Sequence, residues 1–242
     1  MHLRIADALP AAVLFDMDGT LVDTEHLWWR AVEDAALRMG YRPTDADLPD
    51  VLGRPAAYTA RHLLRVTGGT AGQAAPTGEA AAEAVADLAE ARLTRELDAA
   101  FAALVAEEVR PRPGALRLLA ELRDARVPAA LVTASPRRVV DVVLRALGAD
   151  WFALTVAAED TARTKPAPDP YLRAAERLGV AARDCVVVED SPVGLAAALA
   201  AGCRAVAVPS TVPIPEEPGV VVLGSLEDVD LVLLSALAAT RT

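Results

Sequence analysis

The stretch Ala12 to Glu25, "AVLFDMDGTLVDTE", decides how the rest of the chain is read. An apolar run, Val13-Leu14-Phe15, stops abruptly at Asp16, and Asp18-Gly19 follows. In a strand, side chains two apart share a face, so Asp16 and Asp18 stand side by side at the end of a buried element. Like charges that close destabilise each other unless a cation lies between them. Two plainer readings compete. Asp-Gly between apolar residues is a hairpin-turn signal. "DMDG" is also similar to the start of a calcium loop, but Thr20 and Leu21 replace later ligands and no bidentate glutamate is placed.

The remainder of the chain supplies context. From about residue 113 onward, strand-like runs alternate with helical ones: "VPAALVT", "RRVVDVVLRALG", "FALTVAA", "PYLRAAERLG", "CVVVE", "PVGLAAALAAG", "RAVAV" and "GVVVL". Short β-branched runs separated by helices of about ten residues predict a parallel sheet covered on both faces. Residues 24–108 show helical periodicity (Trp28, Val32, Ala35, Met39) and no strand pattern. The run "EAAAEAVADLAEARLTRELDAAFAALVAEE" is strongly helix-forming. Between these parts, Thr67 to Glu79 ("TGGTAGQAAPTGE") reads as a flexible connection, and "VRPRPG" (Val109–Gly114) as the return hinge. The expected organisation is a core made of 1–23 and 109–242, with an all-helical insertion at 24–108.

In open α/β sheets, ligands bind at the carboxyl ends of the strands. After the first strand come Asp16, Asp18, Gly19 and Thr20; after Ala129–Val132 come Thr133, Ala134 and Ser135; after Val186–Val188 come Glu189 and Asp190. Lys165-Pro166 follows the third strand within ten residues. Four carboxylates, two hydroxyls and a lysine thus gather on one edge. Ser135-Pro136, Asp169-Pro170 and Ser191-Pro192 each pair a capping residue with a proline suited to the first helical position. A helix starting soon after Thr133 aims free N–H groups and its positive dipole end at that edge, where an anion such as phosphate is favoured.

Composition narrows the partners. A net charge of −10 over 242 residues and a pI near 4.8 argue against nucleic acid, whose binders present a basic face. No apolar run approaches the ~20 residues of a membrane helix, and Asp7 interrupts the apolar N-terminus, so no signal-peptide pattern is read. Cys185 and Cys203 lie in valine- and alanine-rich runs without metal-ligand spacing and read as buried free thiols. The expectation is a soluble cytoplasmic protein, monomeric, without nucleic-acid or membrane partners.

In order, Asp-x-Asp-Gly-Thr, strand-Thr, Lys-Pro and strand-Glu-Asp resemble the four motifs of the haloacid dehalogenase superfamily. "DMDGTLVDTE" and "VVVEDSPVGLAAALAAG" are closest to its β-phosphoglucomutase-like branch. The resemblance implies a Rossmann-like core with a helical cap inserted after strand one. It implies Asp16 as nucleophile, Asp18 as general acid and then base, and Thr133 with the Ala134 N–H as phosphoryl holders. It places Lys165 against the charge of nucleophile and phosphate, with Gly19 and Ser135 completing the phosphate cradle. Mg2+ would be held by Asp16, the Asp18 backbone carbonyl, Glu189 and Asp190. Such chemistry calls for in-line positioning and charge neutralisation, hard oxygen ligands for the ion, and a carboxylate nucleophile that divides hydrolysis into two steps.

Three activities are compared. Dehalogenases of this superfamily use no metal and typically lack the second aspartate, so Asp18 and the Glu189-Asp190 pair argue against that reaction. In the mutases a histidine of the first cap helix assists; Trp28 occupies the aligned position, and Ala56 falls where a cap-loop arginine belongs. "DTEHLWW" instead resembles the sugar-phosphate phosphatases of the branch. The expected function is Mg2+-dependent hydrolysis of a small phosphomonoester, such as a sugar phosphate, with a mutase as the alternative. A non-catalytic binding protein is the third reading, and it has no use for both aspartates. Glu25, Trp28 and Arg54 are the cap residues that the resemblance offers for substrate choice, although packing by Trp28 and a plain surface charge at Arg54 remain open. His26 and His62 read as surface residues, and Arg137 and Arg138 as solvated first-turn residues.

Overall fold

The computed structural model describes residues 9–68, 79–211, 213–215 and 217–240. Most of the Thr67–Glu79 connection therefore lies outside the described residues. The chain forms two compact units, Met1–Thr24 with Val109–Thr242, and Glu25–Glu108. The division falls one residue beyond the expected boundary, at Thr24. That residue is fully buried and its hydroxyl donates to Asp18 of the first unit, 2.8 Å away.

Strand β1 (Ala12–Phe15) opens the first unit, with all four residues wholly buried. The helical unit follows: α1 (Glu25–Arg38), the short α2 (Leu48–Val51), α3 (Ala56–Val66) and α4 (Glu79–Glu108). Glu25 in the first turn of α1 and Arg38 in its last complement the helix dipole. The buried stripe of α1 is Leu27, Ala31, Val32, Ala35 and Ala36. Along α4, Leu93, Leu97, Phe101 and Val105 recur on one face and are buried. The indole N–H of Trp28 donates to the Val51 carbonyl at 2.9 Å, and its ring meets Phe101 edge-on at 5.4 Å.

The helical unit also holds a buried polar cluster that revises the surface reading of His62. His62 is only 6% exposed, and its Nε2 lies 2.8 Å from Asp47 Oδ1. Asp47 accepts further bonds from the Tyr41 hydroxyl and the Thr44 amide. Arg65 Nη2 stands 3.0 Å from His62 Nδ1, and Asp50 Oδ2 lies 3.3 Å from the same nitrogen. An imidazole can be buried once both nitrogens are satisfied, and no local pattern in the sequence announces partners up to 15 residues away. Burial opposes the Asp47 charge, yet the Thr44 amide, His62 and Tyr41 outweigh it and hold the carboxyl below its ordinary value. His26 is exposed, as read.

The first unit resumes with α5 (Ala115–Asp124), β2 (Ala129–Val132), α6 (Arg137–Leu147), β3 (Leu154–Val156), α7 (Asp169–Leu178), β4 (Cys185–Glu189), α8 (Pro192–Ala200), β5 (Arg204–Ala207), β6 (Val220–Val222) and α9 (Leu231–Ala239). The six strands form one parallel sheet in the order β3-β2-β1-β4-β5-β6. This is the predicted α/β sheet, and its order reverses direction beside β1, where α/β sheets bind ligands. One face packs Leu14, Ala130, Val132 and Val187 against Tyr171, Ala174 and Leu195 of α7 and α8. Cys185 and Cys203 belong to the same cluster as free thiols, and burial pushes them up to about 11 and about 12.

The three expected Ser/Asp-Pro caps divide. Ser191 caps α8, its side chain accepting from the Gly194 amide at 3.0 Å. Ser135 does not cap α6, because its hydroxyl is committed to Asp18. Asp169 is the first residue of α7 rather than its cap, and it pairs with Arg163. Arg137 is likewise not simply solvated: it is half-buried, donates to Thr155 Oγ1 and pairs with Asp160.

Candidate active site

Register builds the site. Phe15 pairs with Leu131 on one side and Val188 on the other, so Asp16 emerges level with Val132 and Glu189. The Asp16 amide continues the ladder by donating to the Val188 carbonyl at 3.0 Å. Lys165 arrives from the loop before α7 and is itself buried. Its Nζ donates to Asp16 Oδ1 at 2.5 Å, to Glu189 Oε1 at 2.6 Å and to the Val132 carbonyl at 2.9 Å. An ammonium has three donors, and all three are used.

The electrostatics follow from this burial. Burial, opposed by Lys165 and reinforced by Glu189 and Asp18, pushes the Asp16 carboxyl up to about 7. Burial also works against the Lys165 charge, but Asp16 and Glu189 outweigh it and hold the ammonium above its ordinary value. The lysine is therefore a fixed cation, and a second cation beside Asp16 would favour the carboxylate form that a nucleophile needs.

After Asp16 the backbone turns back on itself, with Leu21 and Val22 amides donating to the Met17 carbonyl. The segment then meets the return hinge rather than forming a hairpin: Val22 bridges Pro111, and Arg112 donates to the Leu21 and Gly19 carbonyls. Gly19 has φ +80°, and a Cβ there would overlap the Asp190 carboxylate. Only glycine admits both the turn and that close approach.

Three hydroxyls converge on the Asp18 carboxylate. Thr24 donates to Oδ1 at 2.8 Å, Ser135 to Oδ2 at 2.6 Å, and Thr133 to Oδ2 at a long 3.4 Å. Burial raises the Asp18 carboxyl, with these donors opposing. Thr133 also accepts from the Ser135 amide at 3.0 Å, which folds the Thr133-Ala134-Ser135 loop against Asp18. The structure thus brings Asp16, Asp18, Gly19, Thr133, Ser135, Lys165, Glu189 and Asp190 to one edge, with Ala134 between its two hydroxyl neighbours.

Asp16, Glu189 and Asp190 each offer a carboxylate oxygen within 4.8 Å of the others, all three buried. Set against one ammonium, these buried carboxylates form an oxygen donor set that fits a hard divalent cation such as Mg2+. Ser210 donates to Asp190 Oδ2 at 2.5 Å and so orients it. On the helical unit, Glu25 is half-buried in the first turn of α1. Trp28 is engaged in the packing described above. Arg54 donates from Nε to the Pro49 carbonyl at 3.1 Å and lies 4.9 Å over the Tyr58 ring.

Thr24, Tyr171, Gly194 and Ser210 escaped the sequence reading. Ser210 follows β5, so the strand-end rule that selected the others would have found it. The Tyr171 hydroxyl donates to Glu189 Oε1 at 2.6 Å; its partner lies 18 residues away on another element, and a tyrosine in an apolar helix face carries no signal of that bond. Gly194 gives no turn signal because it sits inside α8.

Comparison with known proteins identifies the family. Residues 10–202 match the family of haloacid dehalogenase-like hydrolases. The chain is 35% identical to hexitol phosphatase A of Escherichia coli over 229 residues, covering 95% of this chain and 93% of that protein. It is 32% identical to the fructose-1-phosphate phosphatase YqaB of the same organism, covering 82% of this chain and 96% of that one. The crystal structure of CbbY from Rhodobacter sphaeroides in complex with phosphate superposes with a TM-score of 0.75 at 30% identity, covering 91% of this chain and 96% of the other. A sheet with Asp16 at the end of its β1 strand, a buried lysine against it and a family match across most of the length lead to one conclusion: the chain belongs to the haloacid dehalogenase-like hydrolases.

Proposed function

We propose that this phosphoric monoester hydrolase is an Mg2+-dependent phosphatase acting on a small sugar or sugar-alcohol phosphate through a phospho-aspartate at Asp16. The observation that carries the reading is the buried Lys165 ammonium against Asp16, with the hydroxyl-clamped Asp18 two residues on. In the first step an Asp16 carboxylate oxygen attacks phosphorus and the bond to the substrate alcohol breaks. Asp18 gives its proton to the departing oxygen, a role that its raised carboxyl favours. In the second step Asp18 takes a proton from water as the water oxygen attacks phosphorus, releasing inorganic phosphate and restoring Asp16. Lys165 stays charged throughout and balances the carboxylate and the phosphoryl oxygens. Asp16, Asp190 and the Asp18 carbonyl would hold Mg2+, which would supply further neutralisation of phosphoryl charge.

Similarity to a hexitol phosphatase and a fructose-1-phosphate phosphatase supports a small polyol or sugar phosphate as substrate. We assign choice of the alcohol to the helical unit, Glu25–Glu108, with Glu25, Trp28 and Arg54 as the residues to vary. A mutase is not favoured, since Trp28 holds the position of the mutase histidine and its indole N–H is occupied by Val51. The test is a panel of hexitol, hexose and pentose phosphates with Mg2+, including β-glucose 1-phosphate with product analysis. Release of inorganic phosphate is expected, and borohydride trapping during turnover should convert Asp16 to homoserine. Isomerisation to the 6-phosphate without phosphate release would replace the phosphatase with the mutase.

A further inference from the structure

The reaction above leaves Tyr171 without a part, although its hydroxyl is bound to the centre of the site. Tyr171 is wholly buried in the first turns of α7. Burial and the neighbouring Glu189 carboxylate keep its phenol protonated, far above the ordinary value, so it serves as a donor. Its acceptor, Glu189 Oε1, also receives the Lys165 ammonium, and Lys165 Nζ lies 5.0 Å from the centre of the Tyr171 ring. The tyrosine therefore meets the lysine twice, through Glu189 and by a cation–π contact.

Glu189 itself is saturated. Oε1 accepts from Lys165 and Tyr171, while Oε2 accepts from the Asp190 amide at 3.1 Å, the Ser191 amide at 3.3 Å and the Ser191 hydroxyl at 3.1 Å. A carboxylate offers about four lone-pair sites, so five donors leave it little freedom to turn. The first turn of α8 closes the remaining space: a Cβ on Gly194 would overlap both carboxylate oxygens.

We propose that Tyr171 is a positioning residue. Its hydroxyl and the Gly194 backbone lock Glu189 as the counter-ion that aims Lys165 at Asp16, and Glu189 acts through Lys165 rather than as a direct ligand of the divalent ion. This rests on the phosphatase reading above. Removing the hydroxyl leaves Lys165 as the one donor to Oε1 among the described residues, which relaxes one of the three bonds that aim the ammonium. A small displacement of a charge-stabilising group affects turnover more than ground-state binding.

The full-length protein and its Tyr171→Phe and Glu189→Gln variants are to be compared. For Tyr171→Phe, kcat should fall about tenfold with KM within about twofold. Mg2+ affinity, read by calorimetry without substrate, should stay within about twofold in both variants. Amine-selective methylation of Lys165, followed by peptide mass spectrometry, should run several times faster in both variants and requires no turnover. Unchanged kcat and unchanged methylation in Tyr171→Phe would reduce the tyrosine to packing, and a tenfold loss of Mg2+ affinity in Glu189→Gln would make Glu189 a ligand instead. If the parent releases no phosphate from any monoester, the phosphatase reading fails by itself, while the methylation rates still decide the positioning.

Discussion

Lys165 Nζ lies 2.5 Å from Asp16 Oδ1 although 149 residues separate them, and both are buried. The pair joins the end of β1 to the loop before α7, and Glu189 closes the group from the end of β4. One cation thus faces two carboxylates inside the protein. Leaving either side uncompensated is costly, because a buried charge that loses its partner keeps its desolvation penalty.

Asp16→Asn removes the nucleophile but keeps its shape. Phosphate release should drop by at least about a thousandfold, since no other route supplies the lost transition-state stabilisation. Circular dichroism should be unchanged. Turnover within about tenfold of the parent would mean that another group attacks phosphorus.

Lys165→Met leaves Asp16 and Glu189 facing each other without a counter-charge. In excess chelator the variant should be destabilised by about 3 kcal/mol in denaturant unfolding. Mg2+ at about a hundred times its Kd should stabilise the parent by about 2.7 kcal/mol, and its removal should abolish turnover. Full turnover in chelator would remove the ion from the reaction.

Asp47→Asn tests the buried cluster of the helical unit through its pH dependence. The folded carboxyl is held below its ordinary value, so its contribution is complete above the unfolded pKa of about 3.9 and is lost as pH falls through the folded value. The variant should lose about 2–3 kcal/mol at pH 7, and the gap in Tm between parent and variant should narrow below about pH 4. A gap of equal size at pH 3 and pH 7 would show that ionisation of Asp47 contributes nothing.

Gly194→Ala pushes a methyl group into the Glu189 carboxylate. Overpacking against a saturated group should cost about 1–3 kcal/mol in stability. Turnover should fall as well, because relief requires Glu189 to leave Lys165. Unaltered melting and turnover would show that α8 does not constrain the carboxylate.

Much of this site was legible one strand end at a time. The alternation of apolar runs and helices prescribed a parallel sheet, and the strand-end rule then selected Asp16, Asp18, Thr133, Glu189 and Asp190 without any contact being known. What escaped were relationships across elements. Tyr171 and Ser210 drew no reading from the sequence; α7 and the turn after β5 bring them to Glu189 and Asp190. His62 read as a surface residue because its partner Asp47, 15 residues away, reaches it only through the packing around α3.

The sequence by itself determined the periodicities, and hence the sheet, the helical insertion and the residues that end each strand, because these depend on local pattern and on which faces must be buried. The tertiary structure decided which oxygen meets which donor. Both oxygens of Glu189 are filled, Ser135 serves Asp18 rather than a helix cap, and Gly194 is required by a carboxylate rather than by a turn. Hydrogen bonds form within about 3 Å, and the register of β1 with β2 and β4 and the seating of α7 and α8 bring such distant residues within that reach.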